Sequence, residues 1–311
     1  MLRKKDDLSW YARKAAGQHP APEKAAAPSP LVLELLECLK AAGVKGSFKT
    51  RTLFIRRLPP GCRGCLQGKG TNLYATGLCT RECFFCFNEH PRKDEMVVHG
   101  FPVKTPEAAA EVVERFQLSS VGISGGEPLL KPERVLGILR ALRKLPRRLR
   151  IDLYTNGDKA TVELLRRLKE AGLDSVRLNL AAGGFDLRPV KRALQVFEET
   201  TVEVPVFPEA LDDLKGMALD LDRIGAPFLI LHELFSCRDN EPGVRARGHK
   251  AAGSQPEHLL WRPVEGAEEA VLELLLFCLE RTKRLSAYYC SCLTQDAIAQ
   301  RGLARRRRLK A

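Results

Sequence analysis

From residue 72 onward the chain alternates short apolar runs with amphipathic helical ones, and this alternation limits its fold more than any other feature. The strand-like runs are 72–76, 120–123, 150–154, 175–180, 202–207 and 228–231, with helical patterns near 106–116, 132–143, 160–171, 188–198 and 212–224 between them. Short apolar strands separated by amphipathic helices predict a parallel sheet with right-handed crossovers. Repeated through six βα units, the pattern predicts an α/β fold, a partial (β/α)6 barrel. A doubly wound open sheet is the rival.

Around this core, at 71–235, the chain divides further. Residues 1–30 predict a flexible amino-terminal segment, with Trp10 and Tyr11 ahead of an Ala- and Pro-rich linker. Residues 31–70 hold an apolar helix carrying Leu31, Leu33, Leu35, Leu36 and Leu39, ending at Gly43, and then a glycine-rich loop containing Cys62 and Cys65. A polar insertion begins the carboxyl-terminal extension 236–300, which continues in a long helix at 267–285 and the Cys290/Cys292 pair, ahead of a basic tail at 301–311. The longest apolar stretch, 271–279, is interrupted by Glu273 and falls short of the roughly 18 residues a membrane span needs. The amino terminus lacks a signal-peptide core. The expected setting is cytoplasmic, with no membrane contact.

Ten cysteines without a secretory signal argue for metals or catalysis rather than disulfides. Cys38 and Cys278 fall in apolar helical patterns and are expected in the core. Cys79, Cys83 and Cys86 place three thiols just after the first core strand, where a loop can curl them around one site. Soft thiolates select zinc or an iron–sulfur cluster. Structural zinc needs a fourth ligand to close its tetrahedron, whereas a cuboidal cluster on three cysteines leaves one iron open, and three closely spaced ligands favour the cluster.

The Cys-x3-Cys-x2-Cys spacing resembles that of the radical SAM superfamily, and the resemblance continues downstream. Phe85, just before the last cysteine, matches the position used against the adenine of S-adenosylmethionine (SAM). Ser124-Gly125-Gly126-Glu127-Pro128 matches the family motif that holds the methionine amino group; glycines allow close backbone approach and Glu127 can accept from an ammonium. Asn156, in Thr155-Asn156-Gly157, matches a corner near the cofactor, although Asn-Gly is also a common turn. The resemblance implies a 4Fe-4S cluster whose open iron chelates SAM, reductive cleavage to a 5′-deoxyadenosyl radical, and hydrogen abstraction from a substrate. It also implies a low-potential electron donor of the flavodoxin or ferredoxin type.

Other segments resemble a largely archaeal branch related to the pyruvate formate-lyase activating enzyme: Leu58-Pro59-Pro60-Gly61-Cys62, Thr76-Gly77-Leu78-Cys79, Leu231-His232-Glu233-Leu234 with Asn240 and Arg247-Gly248, and Tyr289-Cys290-Ser291. Phe87 departs from the proline expected there in much of that branch. Cys62, Cys65, Cys290 and Cys292 could supply four soft ligands to a second site, either a structural zinc or an auxiliary iron–sulfur cluster. His232 and Glu233 are expected to point toward the mouth of the barrel, with His232 more often a satisfied structural histidine than a ligand.

The formal charge of +13 is partly terminal, since six of the last eleven residues are Arg or Lys. A like-charge run predicts a solvated tail first and a nucleic-acid contact second. The leading expectation is a radical SAM enzyme, oxidoreductase or transferase, acting on an unidentified substrate: a glycyl-radical enzyme to be activated, or an RNA, peptide or small molecule to be modified. The competing class is a noncatalytic iron–sulfur binding or regulatory protein that uses its basic tail for contact.

Overall fold

The computed structural model of the chain describes residues 27–252, 259 and 261–309. Trp10, Tyr11 and most of the expected linker lie outside them. Helix α1 (Pro30–Ala41) leads through strands β1 (Lys45–Ser47) and β2 (Thr52–Phe54) to α2 (Pro60–Leu66), β3 (Gly70–Thr76), β4 (Met96–Val98) and β5 (Phe101–Val103). Helices and strands then alternate: α3 (Pro106–Arg115), β6 (Ser120–Gly125), α4 (Pro132–Arg143), β7 (Arg150–Thr155), α5 (Val162–Glu170), β8 (Ser175–Leu178), α6 (Arg188–Leu194), β9 (Thr201–Val206), α7 (Leu211–Arg223) and β10 (Phe228–Glu233). The chain continues through β11 (Phe235–Ser236), α8 (Glu241–Ala246), β12 (Arg262–Pro263), α9 (Ala267–Arg281), β13 (Ser286–Cys290) and α10 (Cys292–Arg308).

Helix starts follow the capping chemistry of the sequence. Ser29, Thr105 and Thr161 each accept a backbone N–H from three residues ahead, at the heads of α1, α3 and α5. Proline in the first turn of α1 and α3 fixes the entry geometry. In α1 the buried residues are Val32, Leu35, Leu36 and Leu39, so Leu31, Leu33 and Cys38 are exposed; Cys278 in α9 is fully buried. The expectation of a core Cys38 therefore fails, because the apolar stripe of α1 passes beside it.

Strands run β1-β2-β13-β10-β9-β8-β7-β6-β3-β4-β5 across the main sheet. From β3 to β13 all neighbours are parallel and follow chain order in space. A doubly wound sheet must reverse its strand order at a switch point. This sheet does not, which leaves the partial barrel. The six expected strands are present, and β13 adds a seventh parallel one from the segment expected to form part of an outlying extension.

Alternation along each strand separates two environments. Leu73, Ile123, Leu153, Val176, Val202, Leu229 and Ala287 face the apolar core under the helices. Their neighbours Tyr74, Ser124, Asp152, Arg177, Glu203, Ile230 and Tyr288 line a cavity of about 960 Å³ on the other face. Strands that read as continuously apolar are thus two-faced, because the sheet curls around a lumen.

Two helices span the gap between the last parallel strand and the first. Residues 60–66, expected as part of a loop, are helical, and the reason is tertiary. A Cβ on Gly61 would sit 1.9 Å from Asp152 Oδ2, and one on Gly64 would sit 2.5 Å from Ser120 Oγ, so only a glycine face lets α2 approach the strands this closely. The basic run, expected as a solvated tail, continues α10 to Arg308. Arg301 Nη1 donates to the Leu66 carbonyl at 2.6 Å, Arg305 Nη2 to the Gln117 carbonyl at 3.1 Å, and Arg306 Nε to His99 Nε2 at 2.8 Å.

Asp222 ties β13 in place. Its carboxylate accepts the backbone N–H groups of Lys283, Arg284 and Leu285 at 3.0, 2.7 and 2.8 Å. Burial would raise its pKa, but these donors outweigh burial and hold the carboxyl below its usual range. A depressed carboxyl pKa contributes stability above the unfolded value, near 4, that is lost as pH falls below it. Asp222→Ala is expected to cost about 1–2 kcal/mol at pH 7. In urea titrations the gap from wild type should narrow at pH 3.

Candidate active site

The three triad cysteines lie in the loop that leaves the carboxyl end of β3, and all three line the cavity. Several contacts fix that loop. Arg81 forms a two-point ion pair with Asp158, Nε to Oδ2 at 2.9 Å and Nη2 to Oδ1 at 2.6 Å, and Thr80 donates to the same carboxylate. Arg92 Nη1 donates to the Arg81 carbonyl at 2.6 Å, and Asn88 Nδ2 to the Gly125 carbonyl at 2.6 Å. From the other side, Asn240 Nδ2 donates to the Phe85 carbonyl at 3.1 Å. Gly243 of α8 comes so close that a Cβ there would sit 2.7 Å from the Phe84 carbonyl oxygen. Burial, then the charges of Cys86 and Cys79, push the Cys83 thiol up to about 11.

Gly125 and Gly126 lie against the same loop. Gly125 has φ +125, and a Cβ would meet the Thr76 carbonyl oxygen at 2.1 Å; on Gly126 it would meet that of Leu78 at 2.1 Å. Both positions require glycine. Ser124 Oγ is buried on the cavity wall without a hydrogen-bond partner, a polar atom left for a ligand. Phe85 lines the cavity and packs on Phe84 and Phe207 at ring distances of 5.4 Å each. Asn156 Nδ2 donates to Thr80 Oγ1 at 2.9 Å and lies 3.8 Å from Cys79 Sγ.

Glu127 is placed differently from the expectation. Its carboxylate is 0% exposed and already accepts from Leu129 N–H (3.0 Å), Thr155 O–H (2.8 Å) and Asn156 N–H (2.8 Å). Burial raises its pKa against these three donors. It clamps the Gly-Gly segment to the corner after β7 and does not line the cavity.

The second cysteine set divides. Cys62, Cys65 and Cys290 line the cavity and interact electrostatically with one another, with Arg177 Nη1 and Nη2 at 3.6 and 3.7 Å from Cys62 Sγ. Burial, with smaller charge effects, pushes the Cys62 thiol up to about 12 and that of Cys65 higher still. Cys292, the first residue of α10, interacts electrostatically with Cys290 but does not line the cavity: it is fully buried and gives its N–H to Glu233 Oε2 at 2.9 Å. Glu233 also accepts from the Tyr289 hydroxyl, and it lines the cavity together with His232, one residue earlier.

Asp152, Arg177, Glu203 and His232 run across the lumen. Arg150 and Ser175 donate to Asp152 Oδ1, and Arg177 to Oδ2 at 2.9 Å; Arg177 also reaches Glu203 Oε2 at 3.2 Å, and His232 Nε2 meets Glu203 Oε1 at 2.7 Å. Burial would lower the His232 pKa, but hydrogen bonds to Cys290 and Glu203 outweigh it and raise it to about 10. Glu203 is held near 2 against burial by His232 and Arg177. Glu203 and His232 each keep about a fifth of their side-chain surface and line the cavity. Both ring nitrogens of His232 are occupied, the second by the Cys290 carbonyl at 3.1 Å, in keeping with a structural histidine.

Among the described residues, no three His, Cys, Asp or Glu side chains lie close enough to share one metal ion. A mononuclear site needs that convergence, whereas a cuboidal cluster offers its irons at separate corners to thiolates that stand apart. Three soft donors at one mouth, a glycine wall and an orphaned serine hydroxyl fit a cluster with an adjacent small ligand.

Residues 73–200 match the model of the Radical SAM superfamily. A Methanocaldococcus jannaschii protein provisionally named as a glycyl-radical enzyme activating enzyme is 30% identical over 257 residues, 79% of this chain and 66% of the relative, so the chain spans just under two thirds of that protein's length. A Saccharolobus islandicus protein provisionally named as a GTP 3′,8-cyclase is 35% identical over 107 residues, 34% of this chain and 33% of the relative. Among solved structures, the FeFe-hydrogenase maturase HydG from Carboxydothermus hydrogenoformans aligns with 84% of this chain and 70% of its own, at 13% identity and a TM-score of 0.45. No helix among the described residues is long and apolar enough to cross a membrane.

Proposed function

Because this chain belongs to the radical SAM superfamily, we propose that it binds SAM at a 4Fe-4S cluster on Cys79, Cys83 and Cys86, cleaves it reductively, and abstracts a hydrogen atom from a substrate held in the lumen. The observation that carries this reading is the meeting of the three thiols, the Gly125-Gly126 wall and the Asn156 corner at one mouth of a single cavity. When bound, the cluster and SAM supply one-electron cleavage of the sulfonium to a 5′-deoxyadenosyl radical.

The chain's own residues position and shield. Gly125 and Gly126 let backbone approach the ligand, with the Ser124 hydroxyl free to bond its polar end. Phe85, held by Asn240, offers an aromatic face for an adenine. Glu127 keeps the two ligand-facing segments at fixed spacing, through Asn156 on one side and Leu129 on the other. Phe87, 42% exposed, meets Phe235 at 5.7 Å, which stacks on Trp261 at 5.0 Å, forming an aromatic rim for a substrate to pass.

The electron comes from a flavodoxin- or ferredoxin-type donor. The name of the Methanocaldococcus relative supports a glycyl-radical enzyme as the substrate. The test is anaerobic reconstitution followed by dithionite and SAM: 5′-deoxyadenosine and methionine should appear in equal amounts. Cluster-loaded protein that releases neither would be a noncatalytic iron–sulfur protein.

A further inference from the structure

The cavity has a second group of thiols that the triad chemistry leaves unused. Cys62 and Cys65 come from α2, where each follows a glycine pressed against the barrel strands: Gly61 against Asp152 and Arg177, Gly64 against Ser120. That close approach brings both thiols to the cavity wall, facing Cys290 at the end of β13. We propose that Cys62, Cys65 and Cys290 ligate a second 4Fe-4S cluster, with its fourth iron open to the same cavity that the triad faces.

The choice of a cluster over a closed zinc site follows from what surrounds the three thiols. Cys292, the obvious fourth ligand, is buried and does not line the cavity, and its N–H is held by Glu233 Oε2. His232 has both ring nitrogens engaged, by Glu203 and the Cys290 carbonyl. All four carboxylate oxygens of Asp152 and Glu203 accept from Arg150, Ser175, Arg177 or His232. Among the described residues, no three His, Cys, Asp or Glu side chains converge on a single point as a closed tetrahedral site requires.

Two polar groups are suited to an anionic cluster. The Arg177 guanidinium lies beside Cys62 Sγ, where N–H donation to a ligating sulfur offsets cluster charge. The Tyr288 hydroxyl is buried without a hydrogen-bond partner of normal geometry, with the Cys290 thiol as its neighbour. An open iron in this position would offer a substrate heteroatom a ligand site within the cavity shared with the triad.

The proposal is separable from the triad chemistry. Anaerobically reconstituted wild type should carry about eight irons and eight sulfides per chain, and Cys62→Ala or Cys290→Ala about four. A variant with Cys79, Cys83 and Cys86 all changed to alanine should still hold about four, which Cys62→Ala then removes. Cys292→Ala should leave iron content unchanged. About four irons in the wild type, zinc in place of iron in the triad-less variant, or loss of metal in Cys292→Ala would each overturn it. The wild-type and single-variant counts decide even if the triple variant does not fold.

Discussion

Replacing Cys83 with alanine is expected to abolish 5′-deoxyadenosine formation, a loss on the order of a thousandfold or more, while leaving the protein folded. Two of three thiols cannot hold a cluster at the barrel mouth. The loop should survive because its anchors are elsewhere: Arg81 on Asp158, Asn88 on the Gly125 carbonyl, and Asn240 on the Phe85 carbonyl. Melting temperature and circular dichroism of the apo forms should therefore match wild type. Turnover within tenfold of wild type would remove the triad from the chemistry.

The second large effect is on stability. Arg177 is 5% exposed and lies between Asp152 and Glu203, so Arg177→Met removes the cation they share and leaves Asp152 only Arg150 and Glu203 only His232 as charged partners. Removing one member of a buried charge cluster leaves uncompensated charge, with an expected cost of about 3 kcal/mol. Neutralising the partners as well, in Asp152→Asn/Arg177→Met/Glu203→Gln, should restore much of that loss, since it is the unpaired charge that costs. Urea denaturation of both variants measures it. A single variant within about 0.5 kcal/mol of wild type would mean that water enters the lumen and screens the carboxylates.

The parts of this architecture that were legible in the sequence are local ones. The triad and the Ser124-Gly125-Gly126-Glu127 run declare themselves because their chemistry depends on spacing within a few residues. The strands from β3 to β10 are readable because their outward residues are apolar. Pairings across the lumen were hidden: Asp152, Arg177, Glu203 and His232 stand on four different strands, and only the curl of the sheet brings them together. Helix α2 was hidden for a related reason. Gly61 and Gly64 read as loop residues until the strands that require their small size are in place.

Other departures have similarly specific causes. Strand β13 reads as a tail because a polar insertion and a long helix separate it from β10, beside which it pairs. Cys292 and Cys290 look like a ligand pair in sequence, yet only Cys290 lines the cavity, because Cys292 already begins α10 and is buried. Glu127 was assigned to the ligand from its motif, and its three donors show that it holds the motif's own backbone. The arginines of α10 look like a free tail until Leu66 and Gln117 supply carbonyls to them.

The most direct test of the central claim is electron paramagnetic resonance of the dithionite-reduced, reconstituted protein, recorded with and without SAM. If the triad holds a cluster with an iron open to SAM, adding SAM changes the reduced-cluster spectrum, and the change disappears in Cys83→Ala. A fully loaded protein whose spectrum is the same with and without SAM would contradict the account.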